Sequence, residues 1–174
     1  MLLYLKVIFV KERFLNENKM LFRFTDQVLV ECPECNSVAK IVIPEKIDNS
    51  EEYGDRWNSL KRRLVCTHCG YMKETKAKRG PFSDWKYEYQ EVNISEEAID
   101  WFFGLPLYLQ APFKGNTFWA FNYEHLNYLE RYIRAELRDP APYYLSVEST
   151  LPKWIKLSKN RQELLKIINK MKLK

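Results

Sequence analysis

Three observations predict an α+β chain in which antiparallel strands precede helices. Four cysteines, Cys32, Cys35, Cys66 and Cys69, stand in two C-x-x-C pairs. Short β-branched stretches flank both pairs. Helical periodicity with start and stop residues is confined to the second half. The 174 residues suffice for one domain with a real core, or for one domain plus a small appendage. With 46% apolar and 29% charged residues the composition is globular, and 15% aromatics with only 5 Gly exclude a disordered or low-complexity chain. No apolar run approaches the roughly 20 residues that span a bilayer.

Met1–Val10 is the most apolar stretch and predicts a buried strand or short helix. Nothing basic precedes it, Lys6 interrupts it and no small-residue cleavage site follows, so it does not read as a secretory signal. From Met20 the text MLFRFTDQVLVECPEC opens as a strand running into the first cysteine pair. Residues 1–19 therefore read as an N-terminal extension. Closely patterned cysteines without an export signal point to the cytoplasm, where thiols stay reduced.

The pairs are Cys32-Pro33-Glu34-Cys35 and Cys66-Thr67-His68-Cys69, the second followed by Gly70. Each C-x-x-C can wrap two thiolates around one side of a tetrahedral ion, and two of them close a Cys₄ shell, the usual structural zinc arrangement. Gly70 suits the positive-φ turn that leaves such a knuckle. The polar segment Glu45–Arg56 lengthens the spacing and reads as a loop. Strands are expected at Phe24–Glu31, Ser37–Pro44, Leu60–Val65 and Tyr71–Lys78, giving an antiparallel zinc ribbon over residues 20–80. An iron–sulfur cluster and a redox dithiol pair are the rival readings, and the redox reading lacks the βαβ pattern it needs. His68 is expected to point outward, because four thiolates already fill a tetrahedron. A closed shell also leaves no position for catalytic water.

Residues 81–140 form a second unit. Trp85, Tyr87 and Tyr89 alternate with Lys86, Glu88 and Gln90, a period-2 strand. Its aromatic row reads first as a core face and second as a stacking platform for single-stranded nucleic acid. Glu96–Phe102 reads as a short helix. Leu105–Pro112 and Thr117–Phe121 read as a hairpin turning at Lys114-Gly115-Asn116. Asn122 then caps a helix over Tyr123–Arg138 with the stripe Leu126, Leu129, Ile133 and Leu137. His125, in its first turn, reads as structural.

Residues 141–174 are a linker and a basic amphipathic helix. Pro152 opens a short helical piece. Asn160 and Glu163 form a capping box for Arg161–Lys172, whose apolar side holds Leu164, Ile167, Ile168 and Met171. The fold class is therefore an antiparallel Cys₄ zinc ribbon, a small β-hairpin-plus-helix domain and a basic C-terminal helix.

Charge is uneven. The chain carries +5 overall. Arg56–Gly80 holds eight Lys/Arg against Glu74, and Lys153–Lys174 eight against Glu163. Such segments attract phosphate backbones or remain solvated faces. Lys61, Arg62, Arg63, Lys73, Lys76, Lys78 and Arg79 are the candidate phosphate contacts, with Trp57 and Trp85 as candidate stacking residues. Strand alternation allows about half of the basic residues to share one surface.

Three stretches carry a resemblance: Phe103-Gly104-Leu105-Pro106-Leu107-Tyr108-Leu109-Gln110, Phe118-Trp119-Ala120-Phe121-Asn122-Tyr123-Glu124-His125-Leu126, and Leu151-Pro152-Lys153-Trp154. Together with the cysteine pairs they resemble a family of short bacterial TFIIB-type zinc ribbon-containing proteins, from about Met20 to the C-terminus. The resemblance implies an architecture and no activity. Family hairpin turns often carry cysteines, whereas this turn is Pro112-Phe113-Lys114-Gly115. The expected function is association with nucleic acid or a nucleic-acid machine; the alternative is a protein–protein adaptor, for which the many aromatics are suited. No Gly-rich phosphate loop, G-x-S-x-G or H-E-x-x-H is present, so no catalytic residue is assigned and an enzyme is the third reading.

Overall fold

A computed structural model describes residues 11–44, 61–76, 78–79, 85–86, 97–139 and 145–174. The molecule is mixed α+β, with antiparallel sheets and a C-terminal helix. The main sheet has the order β2-β3-β4-β5. Its strands are β2 (Gln27–Glu31), β3 (Val38–Val42), β4 (Lys61–Val65) and β5 (Met72–Lys76), antiparallel throughout. A short parallel pair joins β1 (Arg13–Phe14) to β10 (Leu137–Arg138). Lys78–Arg79 (β6) pairs with Trp85–Lys86 (β7). The expected aromatic row beyond Lys86, the loop at residues 45–56, Trp57 and Met1–Val10 lie outside the described residues.

The inner face of the main sheet carries Val28, Val30, Ala39, Ile41 and Leu64, all buried because period-2 alternation points them one way. The free edge of β2 is taken by a later segment. Tyr108 N–H donates to Leu29 O at 3.0 Å, Glu31 N–H to Pro106 O at 2.9 Å and Leu29 N–H to Phe121 O at 2.7 Å. Val30 and Leu107 form a bridge at this edge. One apolar cluster runs from the cysteine sheet into the rest of the chain.

The helix expected at Glu96–Phe102 does not form over its described residues. Ile99 bridges Pro106 instead. The cause is Asp100, fully buried, whose Oδ1 accepts the N–H groups of Phe102 and Phe103 and whose Oδ2 accepts that of Leu105, each at 2.7 Å. A short acidic side chain has outcompeted the helix for these donors. Burial pushes its carboxyl up, against the three N–H bonds that pull it down.

The hairpin is β8 (Leu109–Phe113) and β9 (Asn116–Ala120), shorter at its start than Leu105–Pro112 because Pro106–Tyr108 serve the β2 edge. Lys114 (φ 48°) and Gly115 (φ 76°) make a two-residue turn, so Asn116 is already strand. Asn122 caps α1 (Tyr123–Arg134) by accepting His125 N–H, and its Nδ2 reaches back to Phe24 O and Gln27 O. Leu126, Leu129 and Ile133 are buried as expected. Leu137 is not on this helix, which ends at Arg134. Arg138 donates to Tyr132 O and Arg161 to Ile133 O and Ala135 O, so two side chains satisfy the last carbonyls and release Leu137–Arg138 to pair with β1.

Of residues 1–19, the described part is tied into the fold. Phe14 is buried edge-on against Tyr128 (5.5 Å) and Tyr132 (5.3 Å). After α1 come α2 (Val147–Thr150), capped by Ser146, and α3 (Lys153–Lys156), entered through Pro152. The last helix, α4 (Arg161–Met171), buries Leu164, Ile168 and Met171 and packs on α1 and β8. The expected capping box is absent. Asn160 Nδ2 donates to Trp154 O, its Oδ1 accepts from Lys114, and Glu163 pairs with Lys114 at 2.6 Å.

Asp100→Ala leaves three buried N–H groups without acceptors. The expected loss is about 3 kcal/mol or more, and Asp100→Asn, which sets an amide against one of the three donors, costs somewhat less. Urea denaturation of both variants measures this.

Candidate metal centre

The two cysteine pairs sit at the tips of the β2–β3 and β4–β5 hairpins, and their backbones are alike. Cys32 N–H donates to Ser37 O at 2.8 Å and Asn36 N–H to Cys32 O at 2.9 Å. In the second tip Cys66 N–H donates to Tyr71 O at 2.8 Å and Gly70 N–H to Cys66 O at 3.0 Å. The residue after each second cysteine has positive φ, 57° at Asn36 and 79° at Gly70. Gly70 was legible from its type. Asn36 was missed, although Asn is among the side chains that tolerate this region.

Pairing of β3 with β4, at Lys40↔Val65, Ile41↔Leu64 and Val42↔Arg63, sets the tips side by side. The four Sγ atoms lie within 4.8 Å of one another. Cys32 Sγ and Cys69 Sγ are 3.6 Å apart, Cys35 Sγ and Cys66 Sγ 3.7 Å. The four cysteines are thus positioned to hold a metal ion. Cys32 and Cys66 are buried, Cys35 is half-buried and Cys69 is exposed. His68 is exposed and lies outside the sulfur cluster.

The electrostatics favour a cation. The backbone N–H of Ser37, aided by its side chain, holds the Cys35 thiol down to about 6. The N–H of Tyr71 pulls on Cys69 likewise, but desolvation and the sulfurs of Cys35, Cys66 and Cys32 push it up to about 12. The first thiolate forms easily and the last is resisted by its neighbours. A divalent ion at the centre removes that repulsion, and soft thiolates suit zinc, copper(I) or iron.

The candidate basic residues divide by strand register. Lys61, Arg63 and Lys76 share the outer face of the sheet with Lys40, which the sequence reading did not single out. Arg63 is tied to Glu74 at 2.6 Å across β4 and β5. Arg62 points inward, is 1% exposed, and holds its guanidinium 4.6 Å from the centre of the Phe102 ring. It is therefore not on the face that Lys61 and Arg63 present. Lys73 is exposed on the opposite face. Lys78 and Arg79 are placed only as β6, opposite Lys86 and Trp85.

Elemental analysis is expected to find one metal ion per chain. Cys32→Ser and Cys66→Ser lose it and lower the melting temperature more than Cys69→Ser, because a buried hydroxyl replaces a ligand. Gly70→Ala has open space around the new Cβ but must keep positive φ, a strain of about 1 kcal/mol; Asn36→Gly is close to neutral. Chelator competition on these variants orders their metal affinities.

No family model matches the chain, and neither the curated proteins nor the solved structures contain a significant match to it.

Proposed function

We propose that the four cysteines hold one structural zinc ion, making the cysteine sheet a zinc ribbon of the TFIIB type, and that its outer face associates with the phosphate backbone of nucleic acid. Zinc–sulfur bonds of about 2.3 Å set tetrahedral sulfurs ~3.8 Å apart. The 3.6 and 3.7 Å separations agree with one ion and leave no room for a multi-iron cluster. A shell of four protein thiolates assigns the metal a structural role.

The observation that carries the nucleic-acid reading is the register that gathers Lys40, Lys61, Arg63 and Lys76 on one face. Three of them are exposed lysines. Phosphate contacts release counterions, so affinity depends on salt. The adaptor reading draws on Met72, 63% exposed on the same face, because an apolar side chain there suits a protein partner.

Binding of the zinc-loaded chain to DNA and RNA oligonucleotides is measured at 50 and 200 mM salt. With three to four phosphates neutralised, duplex affinity is expected to fall roughly 40- to 150-fold between these concentrations. Lys40→Ala, Lys61→Ala and Lys76→Ala each weaken binding and reduce the salt slope, whereas Lys73→Ala, on the opposite face, leaves both unchanged. Absence of binding at 50 mM overturns the nucleic-acid reading, and a stoichiometric protein partner with weak salt dependence supports the adaptor.

A further inference from the structure

The imidazole of His125 is sealed inside the fold, with the residue 2% exposed. Phe24 stacks on it at 4.8 Å, and Trp119 and Phe121 close on it at 5.8 and 5.7 Å. Phe121 N–H donates to His125 Nδ1 at 3.3 Å, which leaves the proton of the neutral ring on Nε2. Phe121 O in turn accepts Leu29 N–H at 2.7 Å, so the imidazole stands behind one of the bonds that close the β2 edge. A second proton can enter the ring only at Nδ1, on the lone pair that Phe121 N–H occupies. Among the described residues nothing accepts from Nε2 either. The imidazolium would hold two N–H donors with no acceptor, one of them facing the N–H of Phe121.

The charged neighbours do not relieve this. The start of α1 offers Glu124 and Tyr128, and the segment that brings Phe24 offers Lys19 and Arg23. α2 and α3 carry Glu148, Lys153 and Lys156, and β9 carries no titratable group. None of these is hydrogen-bonded to the imidazole, and Glu148 accepts from the Tyr128 hydroxyl instead. Burial holds the His125 pKa down to about 3. On one side the ring has room. A cavity of about 240 Å³ adjoins it, with Thr117 and Thr150 as its other polar lining. Its walls run from the buried Val147 and Ile155 to the exposed Thr150 and Pro152, so a ring turned that way meets water. We infer that His125 is an acid-sensitive latch on the joint between the cysteine sheet and α1: protonation of the ring and the parting of Phe121 from the β2 edge are one event. The closed joint excludes the proton, whereas the open one takes it at the ordinary imidazole value of 6.5. The latch is at full strength above that value and weakens as the pH falls toward 3.

Amide hydrogen exchange of the zinc-loaded, full-length protein, read by NMR and corrected for the intrinsic rate at each pH, measures the opening. Between pH 7.5 and 5 the opening constants at Phe121 and Leu29 are expected to rise about 30-fold, as the freed imidazole takes up its proton. His125→Asn keeps an acceptor near the place of Nδ1 and has nothing to titrate, so its rise is expected to stay under about threefold. The Cys66 N–H, at the second hairpin tip, is expected to give the same pH ratio in both proteins, which separates the latch from acid release of the metal. Equal rises at Phe121 in both proteins overturn the inference, and so does a Cys66 ratio that follows the one at Phe121. A ¹⁵N titration of His125 in the unsubstituted protein tests it without any variant. The ring is expected to stay neutral in the folded molecule down to pH 5, and protonation near 6.5 with the fold intact overturns the latch.

Discussion

The structure depends on the exposed edge of β2 being paired by its own chain. A sheet edge is a row of unsatisfied N–H and C=O groups, and left open it invites other strands. Here Pro106, Tyr108 and Phe121 supply the partners, at 2.7–3.0 Å. This pairing joins the cysteine sheet to the hairpin and α1, and it allows one apolar core to run through both. Asp100 holds the turn that delivers Leu105–Leu107 to the edge, and Asn122 ties the start of α1 to the carbonyls on either side of Thr25 and Asp26. The metal centre at the hairpin tips is therefore braced from behind. The sheet is not a small module whose only support is an ion.

Several charged side chains are structural. Arg62 lies against Phe102 inside the core. Arg138 and Arg161 close the C-terminus of α1. Just after the last helix Lys172 pairs with Glu130, and Lys174 reaches the carbonyls of Tyr108 and Gln110. A guanidinium beside unsatisfied carbonyls is favourable because those oxygens have no other donor. The net charge of a segment thus overstates the charge it offers to a partner. One face of the sheet carries the row Lys40, Lys61, Arg63 and Lys76, with Arg63 paired to Glu74.

Local signals were legible wherever one residue type has one strong preference. The C-x-x-C pairs, Gly70, the turn at Lys114-Gly115 and the cap at Asn122 all lie where residue chemistry placed them. Reading failed where a side chain had a stronger distant use. Asp100 lay inside the expected helix Glu96–Phe102 and became the acceptor of a turn. Asn160 and Glu163 had the spacing of a capping box, but Lys114 and Trp154 claimed them from elsewhere in the chain. Leu137 continued the helical period by sequence alone, yet β1 and two arginines ended the helix first.

From the sequence by itself one could determine that four thiols come in two wrapping pairs, that strands flank them and that helices follow, because these depend on spacing and local propensity. That the two pairs meet was expected from their type; only the tertiary structure decided how, through the register of β3 on β4 that sets the hairpin tips side by side. The same holds for which basic residues share a face and for the cavity beside His125. A strand's alternation is local, but which side is covered depends on what packs there. His125 is buried only because Phe24, Phe121 and Trp119, from separate elements, enclose one imidazole.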